Sequence, residues 1–127
     1  MAPIIEKVTT ENLQLGESPH WDSETQSLYL VDIFGQSIHK YVPSTKRFTT
    51  AHIGKKISII IPVQGKKDQF IITIDRQIVL IKWDGESKDI SILETLYDVE
   101  TDTDKTLNDG KCDSTGRLWA GKRYKER

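Results

Sequence analysis

The layout Pro19-His20-Trp21-Asp22 followed by Leu28-Tyr29-Leu30-Val31-Asp32 returns later in the chain as Lys111-Cys112-Asp113 followed by Leu118-Trp119-Ala120-Gly121, with Asp22 and Asp113 91 residues apart. Between them lies a further version, Gly65-Lys66-Lys67-Asp68 with Phe70-Ile71-Ile72-Thr73-Ile74. With Leu28, Phe70 and Leu118 taken as equivalent, the steps are 42 and 48 residues. A period of about 40–50 residues matches a four-stranded propeller blade. Such a repeat constrains the fold strongly, because a blade cannot bury its faces alone and stacks on its neighbours. The alternative is a β-sandwich, whose strands also recur at short intervals.

Segments rich in β-branched and aromatic residues, bounded by turn formers, predict strands over Ser27–Ile33, Ile38–Val42, Ile57–Val63, Phe70–Ile74 and Ile78–Trp83. No window shows the three-to-four-residue apolar spacing of an amphipathic helix. The expected fold is therefore all-β, built of antiparallel four-stranded blades. Two blades and the first strand of a third are accounted for, about two and a half in all. Closing a propeller takes four to eight blades, so a truncated form is expected. A blade-forming part over residues 1–121 and a divergent basic tail over 122–127 are the expected divisions.

Composition narrows the partners. Charged residues make up 29% of the 127 residues and nearly cancel, at a net charge of −1, which argues against a nucleic-acid or anionic-membrane specialist. The last six residues hold four basic groups and one acid, a short run of the kind that is ordinarily solvated. The apolar run Ile57–Val63 is far too short to span a bilayer, and the N-terminus lacks the basic start and apolar stretch of a signal peptide. A single cysteine, Cys112, cannot form an internal disulfide, and there is no Asn-x-Ser/Thr sequon. A cytoplasmic, reducing environment is expected.

The chemistry-bearing motifs lie at the two ends of the repeat. In Leu15-Gly16-Glu17-Ser18-Pro19-His20-Trp21-Asp22 a carboxylate is held at a strand entrance, with Ser18 restricted by Pro19. The second motif is Leu107-Asn108-Asp109-Gly110-Lys111-Cys112-Asp113-Ser114-Thr115-Gly116-Arg117-Leu118-Trp119-Ala120-Gly121. Asn108-Asp109-Gly110 is ordinary turn chemistry, since Asn and Gly accept positive φ, and a turn can also present an amide to a pocket. Asp113 with Gly116 is expected to form the turn that opens a blade strand, and Asp22 to do the same.

Together with Leu28-Tyr29-Leu30-Val31-Asp32-Ile33, these motifs resemble the SMP-30/regucalcin/gluconolactonase family from the first residues to about Gly121. Ile5-Glu6-Lys7 and His39-Lys40-Tyr41-Val42-Pro43 are most similar to its insect luciferin-regenerating-enzyme branch. The resemblance implies a six-bladed β-propeller with one divalent cation at the axial end of its channel, in calcium-binding proteins and lactone hydrolases. It implies that Glu17 is a metal ligand and Asn108 a substrate-pocket residue beside the cation. A small-molecule lactone is the implied substrate, and Ca²⁺, Zn²⁺, Mn²⁺ or Mg²⁺ the implied cation, weakly held in this chain. A hard cation takes oxygen ligands and polarises a carbonyl as a Lewis acid.

Departures from the family pattern matter equally. Thr106 stands where the family usually has Arg, and a Thr cannot fork onto a carboxylate. Lys122-Arg123 replaces the family's Thr-Met after Gly121, and the family's later Asn and Asp ligands are not in the sequence. A catalytically inactive interaction or self-associating fragment is the rival expectation, since open blade edges pair readily with other chains. Other motifs carry less. Asp98-Val99-Glu100-Thr101-Asp102-Thr103-Asp104 has Thr103 where an EF-hand needs Gly and Asp109 where it needs Glu. His20, His39 and His52 show no ligand spacing, and Cys112 has no identifiable base.

Overall fold

A computed structural model describes residues 3–9, 12–98 and 105–124. Among the described residues ten strands run in chain order: β1 (Gly16–Asp22), β2 (Ser27–Asp32), β3 (Ser37–Val42), β4 (Arg47–His52), β5 (Ile60–Pro62), β6 (Gln69–Ile74), β7 (Gln77–Lys82), β8 (Ser91–Asp98), β9 (Lys105–Cys112) and β10 (Leu118–Tyr124). They form two four-stranded antiparallel sheets, β1-β2-β3-β4 and β5-β6-β7-β8, and a two-stranded sheet, β9-β10. Among the described residues no helix is long and apolar enough to cross a membrane.

The first sheet is built on one turn used three times. Gln26, Gln36 and Lys46 have φ of 52°, 54° and 57°, ten residues apart, each at the close of a four-residue hairpin loop. A loop of this length is commonly a type I turn followed by one left-handed residue. Gln and Lys occupy that position without the Gly or Asn that would mark it in the sequence.

The two large sheets pack on one another through an apolar core that includes Val31, Ile38, Ile57, Ile60, Phe70, Ile72, Val79, Ile81 and Trp83. Tyr29 of β2 meets Phe70 of β6 edge-on at 4.8 Å between ring centroids, with Trp83 at 6.3 Å from Tyr29. Such edge-to-face pairs add about 0.5–1.5 kcal/mol beyond area burial. The Trp83 indole donates to the Ser87 carbonyl at 2.9 Å, so its buried polar end is satisfied.

Several expectations change. The strand expected over Ile57–Val63 is shortened to Ile60–Pro62, because the Thr73 hydroxyl takes the backbone N–H groups of Ser58 (3.0 Å) and Ile59 (3.2 Å) that a ladder would have paired. Asn108-Asp109-Gly110 is not a turn: all three residues lie within β9. The third sheet holds two strands instead of one, and β10 continues through Gly121 to Tyr124. β4 and β8 close their sheets beyond the strands expected from the sequence. The acidic residues 99–104 lie outside the described residues.

Candidate functional site

The first strands of the three sheets lie side by side. The Ile60 amide of β5 donates to the Ser18 hydroxyl of β1 at 3.4 Å. Gly110 of β9 lies so close to Ile59 that a Cβ there would sit 2.6 Å from its Cδ1 and 2.6 Å from the Trp119 carbonyl oxygen. Gly110 therefore permits a backbone approach that no other residue allows. A cleft of about 510 Å³ opens where β1, β5 and β9 meet, and Glu17, His20, Ile60, Asp109, Lys111 and Trp119 are among its walls.

Both predicted site residues stand at bulges. Between Glu17↔Val31 and His20↔Tyr29 two residues, Ser18 and Pro19, oppose Leu30 alone. Between Ala120↔Gly110 and Lys122↔Leu107, Asn108 and Asp109 oppose Gly121 alone. A bulge bends its strand and re-aims side chains, and bulges concentrate beside active sites. Ser18 has φ of 53°, a left-handed conformation in a residue that precedes proline, a setting that favours extended backbone. That strain marks the bulge as over-determined by its surroundings.

Glu17 is exposed and lines the cleft. Asn108 is half-buried in β9 and is not among the cleft-lining residues; its bulge partner Asp109 is. The structure thus brings β1 and β9 to one cleft and places Glu17 and Asp109, not Glu17 and Asn108, on its surface. Thr106, where the resemblance leads one to look for Arg, serves the backbone: its hydroxyl donates to the Asp75 carbonyl at 2.9 Å, which also accepts the Leu107 N–H at 2.9 Å. These bonds fasten β9 to the β6–β7 turn.

Electrostatics differ across the cleft. Burial lowers the His20 pKa; Asp22 pulls it up and Lys111 pushes it further down, with a net depression that favours a neutral ring. Asp113 closes the β9–β10 turn, accepting the Trp119 indole N–H (3.0 Å), the Thr115 hydroxyl (2.8 Å) and amide, and the Arg117 amide (2.9 Å) and Nε (2.8 Å). Those donors, the Trp119 indole foremost, hold its carboxyl far below the usual range. With Gly116 at φ 88°, Asp113 is a turn residue, as expected. Asp22 plays the same part at the β1–β2 turn, accepting the Thr25 hydroxyl at 2.7 Å.

Residues 15–127 match the family model described as SMP-30/Gluconolactonase/LRE-like region. The chain belongs to this family. Its relatives include regucalcin of Xenopus laevis, 30% identical over 118 residues, and a Bacillus subtilis (strain 168) protein provisionally named sugar lactone lactonase YvrE, 33% identical over 107 residues. These matches cover 92% and 84% of this chain but 37% and 35% of the relatives. The chain thus spans little more than a third of the length of these relatives. A solved luciferin-regenerating enzyme superposes with a TM-score of 0.86 at 43% identity, over 88% of this chain and 37% of that one. A calcium-binding regucalcin from Agrobacterium tumefaciens superposes at 0.75 with 19% identity, covering 92% of this chain and 38% of its own, and speaks for the fold alone. The sheets are therefore blades of the family's propeller, and the cleft between β1, β5 and β9 lies where their first strands converge.

Whether these residues fit a cation is decided by the donors. Glu17 and Asp109 are oxygen donors of the type a hard cation takes. No group of three or more His, Cys, Asp or Glu converges among the described residues, so they do not complete a coordination shell. Lys111 in the same cleft adds a like charge to any cation placed there. The sequence signal for the bulges was Ser18-Pro19 and Asn108-Asp109-Gly110; Asp109 and Lys111 as cleft residues carried no distinguishing signal.

Proposed function

We propose that β1 and β9 form one wall of a lactone-hydrolysing site of the regucalcin type, with Glu17 contributing one oxygen ligand to a divalent cation and the Asn108–Asp109 bulge facing the substrate. The observation that supports this reading is the pairing of two bulged inner strands on a single cleft, with the candidate carboxylate exposed in it. When bound, the cation supplies Lewis-acid polarisation of a lactone carbonyl. The residues of this chain orient and bind: Glu17 and Asp109 offer carboxylate oxygens, His20 stays neutral, and Trp119 forms an apolar side wall. An incomplete shell predicts weak cation binding, in about the 10⁻⁴–10⁻³ M range or weaker. Calorimetric titration with Ca²⁺, Zn²⁺, Mn²⁺ and Mg²⁺ checks this, and tight stoichiometric binding contradicts it. Hydrolysis of D-glucono-1,5-lactone should depend on the cation and fall at least about tenfold in Glu17→Gln. A rate indifferent to that substitution would sink the reading.

A second reading, self-association, rests on β8. Ile92, Leu93, Leu96 and Tyr97 are all exposed on this outermost strand, with Tyr97 at 63%. Exposed apolar edge strands pair with other chains. Size-exclusion chromatography with light scattering separates the two, because a compact monomer up to high concentration argues against association.

A further inference from the structure

We infer that Asp32 is a positioning residue for Glu17, an inference that rests on the reading of Glu17 as the site carboxylate. Asp32 ends β2 and is only 5% exposed. Its two carboxylate oxygens accept three backbone N–H groups: Gln14 at 2.9 Å, Leu15 at 2.8 Å and Gly35 at 2.9 Å. Two of these donors belong to the segment that leads directly into β1. Leu15 is held from both sides, since its carbonyl accepts the Ile33 N–H at 2.9 Å. Glu17 follows two residues later.

Downstream of Glu17 the chain is fixed again. Ser18 and Pro19 form the bulge, with Ser18 at φ 53° and its hydroxyl tied to the Ile60 amide of the neighbouring blade. Glu17, itself paired with Val31, therefore sits on a short span held at both ends, and Asp32 holds its upstream end. The clamp is built for a carboxylate. At Gly35 a Cβ would lie 2.4 Å from the Asp32 Oδ2, so glycine there leaves room for the carboxylate. Bonds from amides to a buried charged acceptor are shorter and roughly twice as strong as those of a neutral pair. Without them the approach to β1 would be held by the Leu15–Ile33 bond and by the Gly16↔Asp32 and Glu17↔Val31 ladder pairs alone, and the Glu17 backbone would turn relative to β2.

The test uses the full chain, labelled for NMR, with Asp32→Asn, which keeps the size and removes the charge. A milder variant, Gln14→Pro, deletes one donor and leaves the buried carboxylate in place. Residual dipolar couplings report the orientation of the Glu17 N–H relative to β2–β3, and Mn²⁺ titration reports line broadening at residues 16–18. In both variants we expect amides of β2, β3 and β6 to keep their protection while Leu15 exchanges about tenfold or more faster. The Glu17 coupling should move, and the Mn²⁺ needed to half-broaden Glu17 should rise at least about threefold. If the Glu17 orientation and its Mn²⁺ response are unchanged while Leu15 exchange accelerates, Asp32 is structural only and the inference is overturned. If Asp32→Asn does not fold, Gln14→Pro decides on the same two readouts. If the unaltered chain shows no Mn²⁺ broadening at all, the cation reading of Glu17 fails, and the dipolar couplings alone judge the positioning.

Discussion

The first and second blades have the same strand order and differ in how much polar material they bury. The second blade is filled with aliphatic side chains, among them Ile59, Ile60, Ile72, Ile74, Val79 and Ile81. The first blade buries Tyr29, Val31, Ile38 and Tyr41 as well, but more polar groups with them: Ser27, Asp32, Ser37 and His39, against Ser58 and Thr73 in the second. They are satisfied, with the His39 ring bonded to the Ser37 hydroxyl at 3.0 Å and to the Thr50 hydroxyl at 2.9 Å. Among the described residues no buried side-chain polar atom lacks a partner. Polar interiors contribute little net stability but specify geometry sharply, since any displacement leaves a buried group unpaired. The first blade carries Glu17 and the second does not carry a comparable group. The contrast weights the second blade toward apolar stabilisation and the first toward fixed geometry, around a core both share.

The largest effect is expected from breaking the apolar side. Trp83→Ala should lose about 3–5 kcal/mol, because it removes the ring that meets both Tyr29 and Phe70 between the blades. Urea denaturation of the variant measures it, and a cost below about 1 kcal/mol would mean that the blades do not depend on this contact.

The same contrast explains what was legible in the sequence. Middle strands are buried between blades, so β2, β3, β6 and β7 announce themselves as Leu28-Tyr29-Leu30-Val31 or Phe70-Ile71-Ile72. Inner strands carry function and bulges: β1 contains Ser18-Pro19 and β9 contains Asn108-Asp109-Gly110, both of which read locally as turns. Outer strands are more exposed, fully so in β8 and in part in β4, so β4 (Arg47-Phe48-Thr49-Thr50) and β8 (Ser91-Ile92-Leu93-Glu94) lose the apolar alternation. Glu17 and Asn108 are candidates through motif resemblance, whereas the place of Asp109 in the cleft and the amide bonds of Asp32 depend on register and turn geometry that no local pattern encodes.

The third sheet sharpens the comparison by its attachment. Gly110→Ala places a methyl 2.6 Å from the Trp119 carbonyl oxygen and the Ile59 Cδ1, so backbone or side chain must shift. Overpacking of this kind costs about 1–3 kcal/mol. Trp119, at 63% exposure, reports the change through its fluorescence, and an unaltered denaturation midpoint would show that β9 does not press on the second blade.

A pH titration probes the polar interior. Burial lowers the His39 pKa from its ordinary 6.5, and the Asp32 charge only partly restores it. The folded value lies below the unfolded one, so the unfolded state binds more protons in this window, and stability is full above pH 6.5 and falls as pH drops through the folded value. His20 adds a loss of the same sign. Asp32 acts lower on the scale. Burial raises its pKa, but the Leu15, Gly35 and Gln14 amides outweigh that and leave the carboxyl below its ordinary 3.8, so its contribution disappears only under strongly acid conditions. His39→Gln should flatten part of the slope below pH 6.5 and leave the acid limb intact. An unchanged slope would assign the whole effect to His20.

The smallest effect belongs to the rim between the two blades. Arg47 of β4 pairs with Glu86 beyond β7, but both side chains are about half or more exposed, at 61% and 49%. Solvent screening and side-chain entropy hold such pairs to about 0–1 kcal/mol. Beside them the Thr49 hydroxyl donates to the Gly85 carbonyl at 2.6 Å and the His52 amide to the Lys88 carbonyl at 3.2 Å, neutral bonds that bridge the same two sheets. Arg47→Ala should therefore change stability by less than about 1 kcal/mol, with a difference that fades further in 1 M salt as the Debye length shrinks to about 3 Å. Thr49→Val, which keeps the shape and removes the hydroxyl, leaves the Gly85 carbonyl without that donor and should cost at least as much at every salt concentration. If the arginine variant proves the more damaging and its loss persists in high salt, the blades are joined by charge at their rim and the division between a stabilising apolar blade and a positioning polar one does not hold.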